Sequence, residues 1–170
     1  SSKLNSLPAY AFYRCFLLTN ITIPSSIDEI KEISFFECSA LTNVTIPSSV
    51  TKIGMSCFER CSSLQSIEIP SSVTLIGPAA FRECSKLKSI SIPSSLTVID
   101  YSTFEDCPSL SRISIPSSVI KIDDFAFSGC SLLNRVLIPD SVLSIGKNAF
   151  PKRTKLLNAD RMKTVGFDHF

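Results

Sequence analysis

Apolar positions along this chain repeat every 23 residues, and within each period they follow two local patterns. The first is an Ile-x-Ile alternation, as at Ile90 and Ile92, ended by a proline at Pro24, Pro47, Pro70, Pro93, Pro116 and Pro139. Alternation with period two marks a half-buried strand, and a residue without an N–H cannot extend its ladder. A strand of about four residues per unit is therefore predicted. The Pro-Ser-Ser that follows is turn chemistry: a fixed φ and two hydroxyls that can bond nearby backbone groups. Val73-x-x-Ile76 is too short for helical periodicity and carries branched residues, so it reads as a second extended segment on the opposite side. Gly54, Gly77 and Gly146 end this segment in three units, with Asp100 and Asp123 in their place elsewhere. From Ala80 through Phe81 and Cys84 to Leu87 the apolar spacing of one, three and three suits a single helical or 3₁₀ turn.

The same register aligns Phe12, Phe35, Phe58, Phe81, Phe104, Phe127 and Phe150, then six cysteines from Cys15 to Cys130, then seven leucines from Leu18 to Leu156. A unit of this size cannot bury so many apolar side chains alone, whereas stacked coils bury them against their equivalents above and below. The expected architecture is a solenoid, with parallel strands about 4.8 Å apart and a length of roughly 30 Å from Leu18 to Leu156. Leu4 aligns with Ile27 and Leu7 with Ile30, so the pattern opens partway through a repeat. At the other end Arg161 replaces the second strand Ile and Met162 the proline, while Leu156 and Val165 still fit. Residues 1–170 are thus expected to form one repeat domain, with repeats over 4–156 and a degenerate last coil or cap over 157–170. The expectation includes a longer parent array and end-to-end self-association through exposed terminal coils.

Composition narrows the function classes. Seventeen Lys and Arg against fifteen Asp and Glu leave a net charge of +2, which supplies no field for nucleic acid. No apolar run approaches the roughly 18 to 20 residues that span a bilayer. One histidine, His169, and no tryptophan leave most His-based catalytic and metal constellations unassembled.

The quoted unit resembles the BspA-like, or treponemal-type, class of leucine-rich repeat proteins, which combines an Ile-x-Ile-Pro strand with an Ala-Phe-x-x-Cys segment. Ser34, Cys57 and Thr103 depart from the small Ala before Phe, and Lys31 from the turn residue. The resemblance implies a leucine-rich repeat solenoid of about seven coils. A parallel β-sheet would form its concave face, with short second strands and helical or 3₁₀ turns on the other side. It also implies a non-enzymatic surface adhesin or antigen that is secreted or displayed on the cell and binds a protein or glycan. An intracellular scaffold is the alternative, favoured by unpaired cysteines. Fold alone establishes neither.

Candidate chemistry is sparse. Only Cys57 and Cys61 have zinc-ligand spacing, so neither a metal nor any other cofactor is expected. Stacked cysteines point the same way and number seven, which favours a buried ladder of free thiols acting as small hydrophobes. Outward strand positions form the candidate ligand face in three columns. One runs Asn20, Asn43, Ser66, Ser89, Arg112 and Arg135; the next runs Thr22, Thr45, Glu68, Ser91, Ser114 and Leu137; Lys88 lies in the flanking column. Curved arrays bind extended partners on such faces, and the drift from polar to basic favours an acidic protein or a glycan. A merely solvated face of Ser and Thr fits the same residues, and the choice stays open. Asn20-Ile-Thr22 and Asn43-Val-Thr45 are formal glycosylation sequons on that face. Glu37, Glu59, Glu83, Glu105 and Asp106, interleaved with Arg60 and Arg82, read as a solvated rim.

Overall fold

A computed structural model describes residues 4–158, which hold fourteen short strands, two in each coil. In chain order the odd-numbered strands are β1 (Ser6–Leu7), β3 (Glu29–Ile30), β5 (Lys52–Ile53), β7 (Leu75–Ile76), β9 (Val98–Ile99), β11 (Lys121–Ile122) and β13 (Ser144–Ile145). The even-numbered strands are the Ile-x-Ile segments: β2 (Asn20–Thr22), β4 (Asn43–Thr45), β6 (Ser66–Ile67), β8 (Ser89–Ser91), β10 (Arg112–Ser114), β12 (Arg135–Ile138) and β14 (Lys155–Asn158). Every pairing is parallel, and nearly all are in the 23-residue register, as in Ser89↔Arg112 and Ile30↔Ile53. The result is the expected parallel-strand solenoid of stacked coils, with strands of two to four residues.

Between the two rows lies one continuous core. Seven phenylalanine rings stack along it with centroids 4.9 to 5.6 Å apart and planes within 13° of parallel. Phe35, Phe58, Phe81, Phe104 and Phe127 are fully enclosed, as are Leu41, Leu64, Leu87 and Leu110. Phe12 and Phe150, the end rings of the stack among the described residues, are partly buried. The serine two residues after the strand-ending proline ties each of five coils to the one before. Ser49, Ser72, Ser95, Ser118 and Ser141 donate to backbone carbonyls 22 residues earlier over 2.5 to 2.8 Å.

The segment around each Phe departs from the helical or 3₁₀ turn expected of it. No helix occurs among the described residues, and the stretch is a run of turns instead. Residues two before and two after each column Phe from Phe12 to Phe127 adopt left-handed backbone, for example Ile33 and Glu37 about Phe35, and Phe125 and Gly129 about Phe127. A positive φ every fourth residue cannot continue a helix. It turns alternate N–H groups out of the coil, so that Ile33, Phe35 and Glu37 donate to Met55, Cys57 and Glu59 over 2.8 to 2.9 Å. Left-handed backbone costs a residue such as Ile33 about 1 to 2 kcal/mol, and the inter-coil bonds offset that cost.

The last step of the stack is shorter than the rest. β12 pairs with β14 as Arg135↔Lys155 and Val136↔Leu156, a spacing of twenty residues. Leu156 therefore does not continue the leucine column, which ends among the described residues at Leu133; it takes the inward strand position of Val136 one coil on. Three residues are missing between Phe150 and the strand, and Thr154 Oγ1 donates to the Leu133 carbonyl across the shortened turn at 2.6 Å. The expectations for Arg161, Met162 and Val165 lie outside the described residues.

Glycine at the end of the second strand has a packing cause. Gly77 N–H donates to the Ile53 carbonyl at 2.9 Å, and an added Cβ would lie 2.7 Å from Met55 N. Where Asp100 follows Gly77 in this column, the strand ladder lapses between β7 and β9. Replacing Gly77 with Ala should force the coils of β5 and β7 apart at that point and destabilise the chain by about 1 to 3 kcal/mol. A melting midpoint equal to that of the parent would show that the coils do not approach this closely.

Candidate ligand-binding face

Strand alternation sends one set of side chains into the core and the other outward, and every sequence-predicted face residue is exposed. The ladder stacks Asn20 on Asn43 and Thr22 on Thr45, Ser66 on Ser89 and Ser89 on Arg112, and Ser91 on Ser114. Lys88 stays one column aside, with its Nζ donating to Gln65 Oε1 at 3.1 Å. Asn43, Thr45, Ser66 and Glu68 surround a hollow of about 510 Å³ where the ladder lapses between β4 and β6. Glu68 itself lies just beyond the two residues of β6.

Register also adds a residue that the 23-residue count missed. The twenty-residue step brings Lys155 beside Arg135 and Leu157 beside Leu137. Arg112, Arg135 and Lys155 thus project from three successive coils. Among the described residues, no carboxylate lies within ion-pairing distance of any of them. The twenty-residue spacing could have been found in the sequence only by aligning Leu156 with Val136 instead of Leu133.

Charges on the turn segment behave differently. Arg14 pairs with Glu37 at 2.7 Å, Arg60 with Glu83 at 3.0 Å and Arg82 with Glu105 at 3.0 Å, each reaching the next coil. Arg82 also approaches Glu59 at 3.5 Å. Opposite charges one coil apart compensate within the molecule, and Glu83 beside it raises the Arg60 pKa through hydrogen bonding and charge. Glu37, Arg60, Glu83 and Asp106 edge a shallow groove of about 440 Å³ on this side. Among the described residues no three His, Cys, Asp or Glu side chains group to hold a metal ion. No helix there is long and apolar enough to cross a membrane.

A family model for the BspA type leucine rich repeat region matches residues 5–130 and 51–166, with six copies. The chain belongs to the BspA-type leucine-rich repeat family. Among solved structures, this BspA-type chain is similar to a leucine-rich repeat protein of Treponema pallidum. Identity is 28% and the TM-score 0.76, over 85% of this chain and 70% of that one. It is also similar to a leucine-rich repeat protein from Bacteroides ovatus, at 27% identity and a TM-score of 0.64 over 90% of this chain. A third match is a leucine-rich cell surface protein from Faecalibacterium prausnitzii, at 26% identity and a TM-score of 0.54 over 87% of this chain. The chain spans 55% and 61% of the length of the last two. No curated protein matches it.

The cysteines of this BspA-type solenoid are all free thiols, and only Cys15 is partly exposed. They do more than fill space. Cys38, Cys61, Cys84, Cys107 and Cys130 donate Sγ–H to the carbonyls of Phe12, Phe35, Phe58, Phe81 and Phe104 at 3.0 to 3.2 Å. Each bond ties the Cys turn to the Phe turn of the preceding coil. Burial is the leading cause that raises the thiol pKa values, to about 11 for Cys38 and about 12 for Cys130. For Cys57, Cys61, Cys84 and Cys107 the same cause raises them further.

Proposed function

We propose that the chain is a non-enzymatic binding module of a cell-surface protein and engages a macromolecule through its even-numbered strand row. The reading is supported above all by the contrast between the two charged surfaces. Arginines on the turn segment are neutralised by carboxylates of neighbouring coils, whereas Arg112 and Arg135 stand unpaired on an exposed sheet face. A surface kept only for solubility gains nothing from gathering like charges in register, since neighbouring cations repel. A partner with the opposite charge removes that repulsion.

Surface display agrees with the description of the Faecalibacterium prausnitzii protein as a cell surface protein. The free thiols do not argue against it. Thiolate is the species that oxidises or exchanges, and enclosed thiols with raised pKa values stay protonated in an oxidising exterior. A cysteine ladder therefore does not favour an intracellular scaffold over a displayed protein. If the sequons at Asn20 and Asn43 carried glycans, the N-terminal part of the face would be covered, and contact would shift toward Arg112 and Arg135.

The test is binding of the purified chain to an array of extracellular matrix proteins and matrix glycans, repeated with Arg112→Glu plus Arg135→Glu. The double variant should lose the captured component while keeping its melting midpoint. Undiminished binding by a folded double variant would place contact elsewhere.

A further inference from the structure

The strand face carries more than charge in its last two coils. Arg135 and Leu137 point outward two residues apart on β12, and β14 repeats the pair as Lys155 and Leu157 in direct register. Leu137 is 54% exposed, although the chain could have placed Ser there, as it does in the same column at Ser91 and Ser114. A row of cations, extended by Arg112, thus runs beside a row of leucines roughly 6.6 Å away, the reach of two residues along a strand.

We infer that the strand face of the last three coils binds an extended acidic protein segment in which an apolar residue stands two positions from a carboxylate. This rests on the strand-face reading above and names the partner's chemistry. An extended segment repeats its side chains on one side every second residue, about 6.6 Å apart. The spacing from its carboxylate to its apolar side chain then equals that from Arg135 to Leu137 and from Lys155 to Leu157. Ion pairs with Arg135 and Lys155 orient the segment, and its apolar side chain covers the exposed Leu137 and the half-buried Leu157 beside it. A sulfated polysaccharide supplies anions for the cation row but has no aliphatic side chain to cover Leu137. The twenty-residue step builds the site, because a 23-residue step would have set Asn158 beside Arg135.

The experiment uses the full chain and a fluorescein-labelled peptide of repeating Glu-Ser-Leu-Ser, with a Glu-Ser-Ser-Ser repeat and heparin as comparison probes. Fluorescence anisotropy should show binding of the Leu-containing peptide that weakens with added salt. Arg135→Glu plus Lys155→Glu should weaken it by about ten-fold or more. Leu137→Ser, or removal of Leu from the peptide, should weaken it several-fold, and Lys52→Glu on the other strand row should leave it unchanged. Each variant is first shown to melt as the parent does. Heparin binding that the charge reversals abolish, with no effect of Leu137→Ser, would overturn the protein segment and leave the strand face standing. Peptide and heparin binding that both ignore the charge reversals would overturn the strand face itself. Absence of peptide binding at millimolar concentration would overturn the inference outright.

Discussion

Raising the pH from about 7 to about 10 should unfold this protein at a temperature where it is otherwise stable, through the thiol ladder. An exposed thiol ionises near pH 8.5. In the folded chain Cys38 holds its proton to about pH 11 and Cys130 to about pH 12, and Cys57, Cys61, Cys84 and Cys107 are also raised, chiefly by burial. Above about pH 8.5 the unfolded state therefore binds fewer protons than the native state, and stability falls as pH rises. Stability from the ladder is fully present below the unfolded value. It declines through the window up to about pH 11, where the first folded thiol begins to ionise. Each protected thiol contributes a slope of about 1.4 kcal/mol per pH unit. Six of them together approach about 8 kcal/mol per unit as an upper limit, comparable to the whole stability of an ordinary domain. Urea unfolding at a series of pH values reads the slope directly. A Cys84→Ala plus Cys107→Ala variant should lose about one third of it. A parent chain equally stable at pH 7 and pH 10 would mean that the thiols are open to solvent.

That ladder shows where sequence reading reaches and where it stops. The cysteine column is visible because cysteine recurs at fixed spacing beside Phe and Leu, and its burial follows from the stack. Its hydrogen bond is not visible, because the acceptor is a backbone carbonyl 26 residues earlier whose direction depends on the turn between Phe and Cys. That turn is itself concealed. Left-handed backbone announces itself through Gly or Asn, and Gly129 and Asn148 do stand at such positions, but so do Ile33, Phe125 and Tyr10. At these residues inter-coil N–H bonds and neighbouring burial outweigh the local preference. On the ligand face the exposed positions follow from strand alternation alone. The pairing of Arg135 with Lys155 does not, because Leu156 satisfies a 23-residue count and a 20-residue count equally well. Only the missing length after Phe150 decides between them.

Truncating Phe81 to Ala should cost about 3 to 5 kcal/mol and lower the melting midpoint by about 10 °C or more. The ring is fully enclosed between Phe58 at 5.4 Å and Phe104 at 5.6 Å. Its loss removes the transfer energy of a benzyl group, leaves a cavity, and ends two stacking contacts worth about 0.5 to 1.5 kcal/mol each. Backbone relaxation cannot close that cavity without breaking bonds to the following coil. Phe81 N–H donates to the Thr103 carbonyl at 2.9 Å, and the Phe81 carbonyl accepts from the Cys107 thiol at 3.1 Å. Phe12→Ala is the informative comparison, since that ring is partly buried and stacks on Phe35 alone. It should cost less than half as much. In a repeat array each coil is stabilised only by itself and its two neighbours. The Phe81 variant should therefore lose amide protection in hydrogen exchange across the three coils from Phe58 to Phe104 before it loses protection at either end. Equal losses for the two variants, or protection that falls uniformly along the chain, would show that stability is shared globally and not passed from coil to coil through the ring stack.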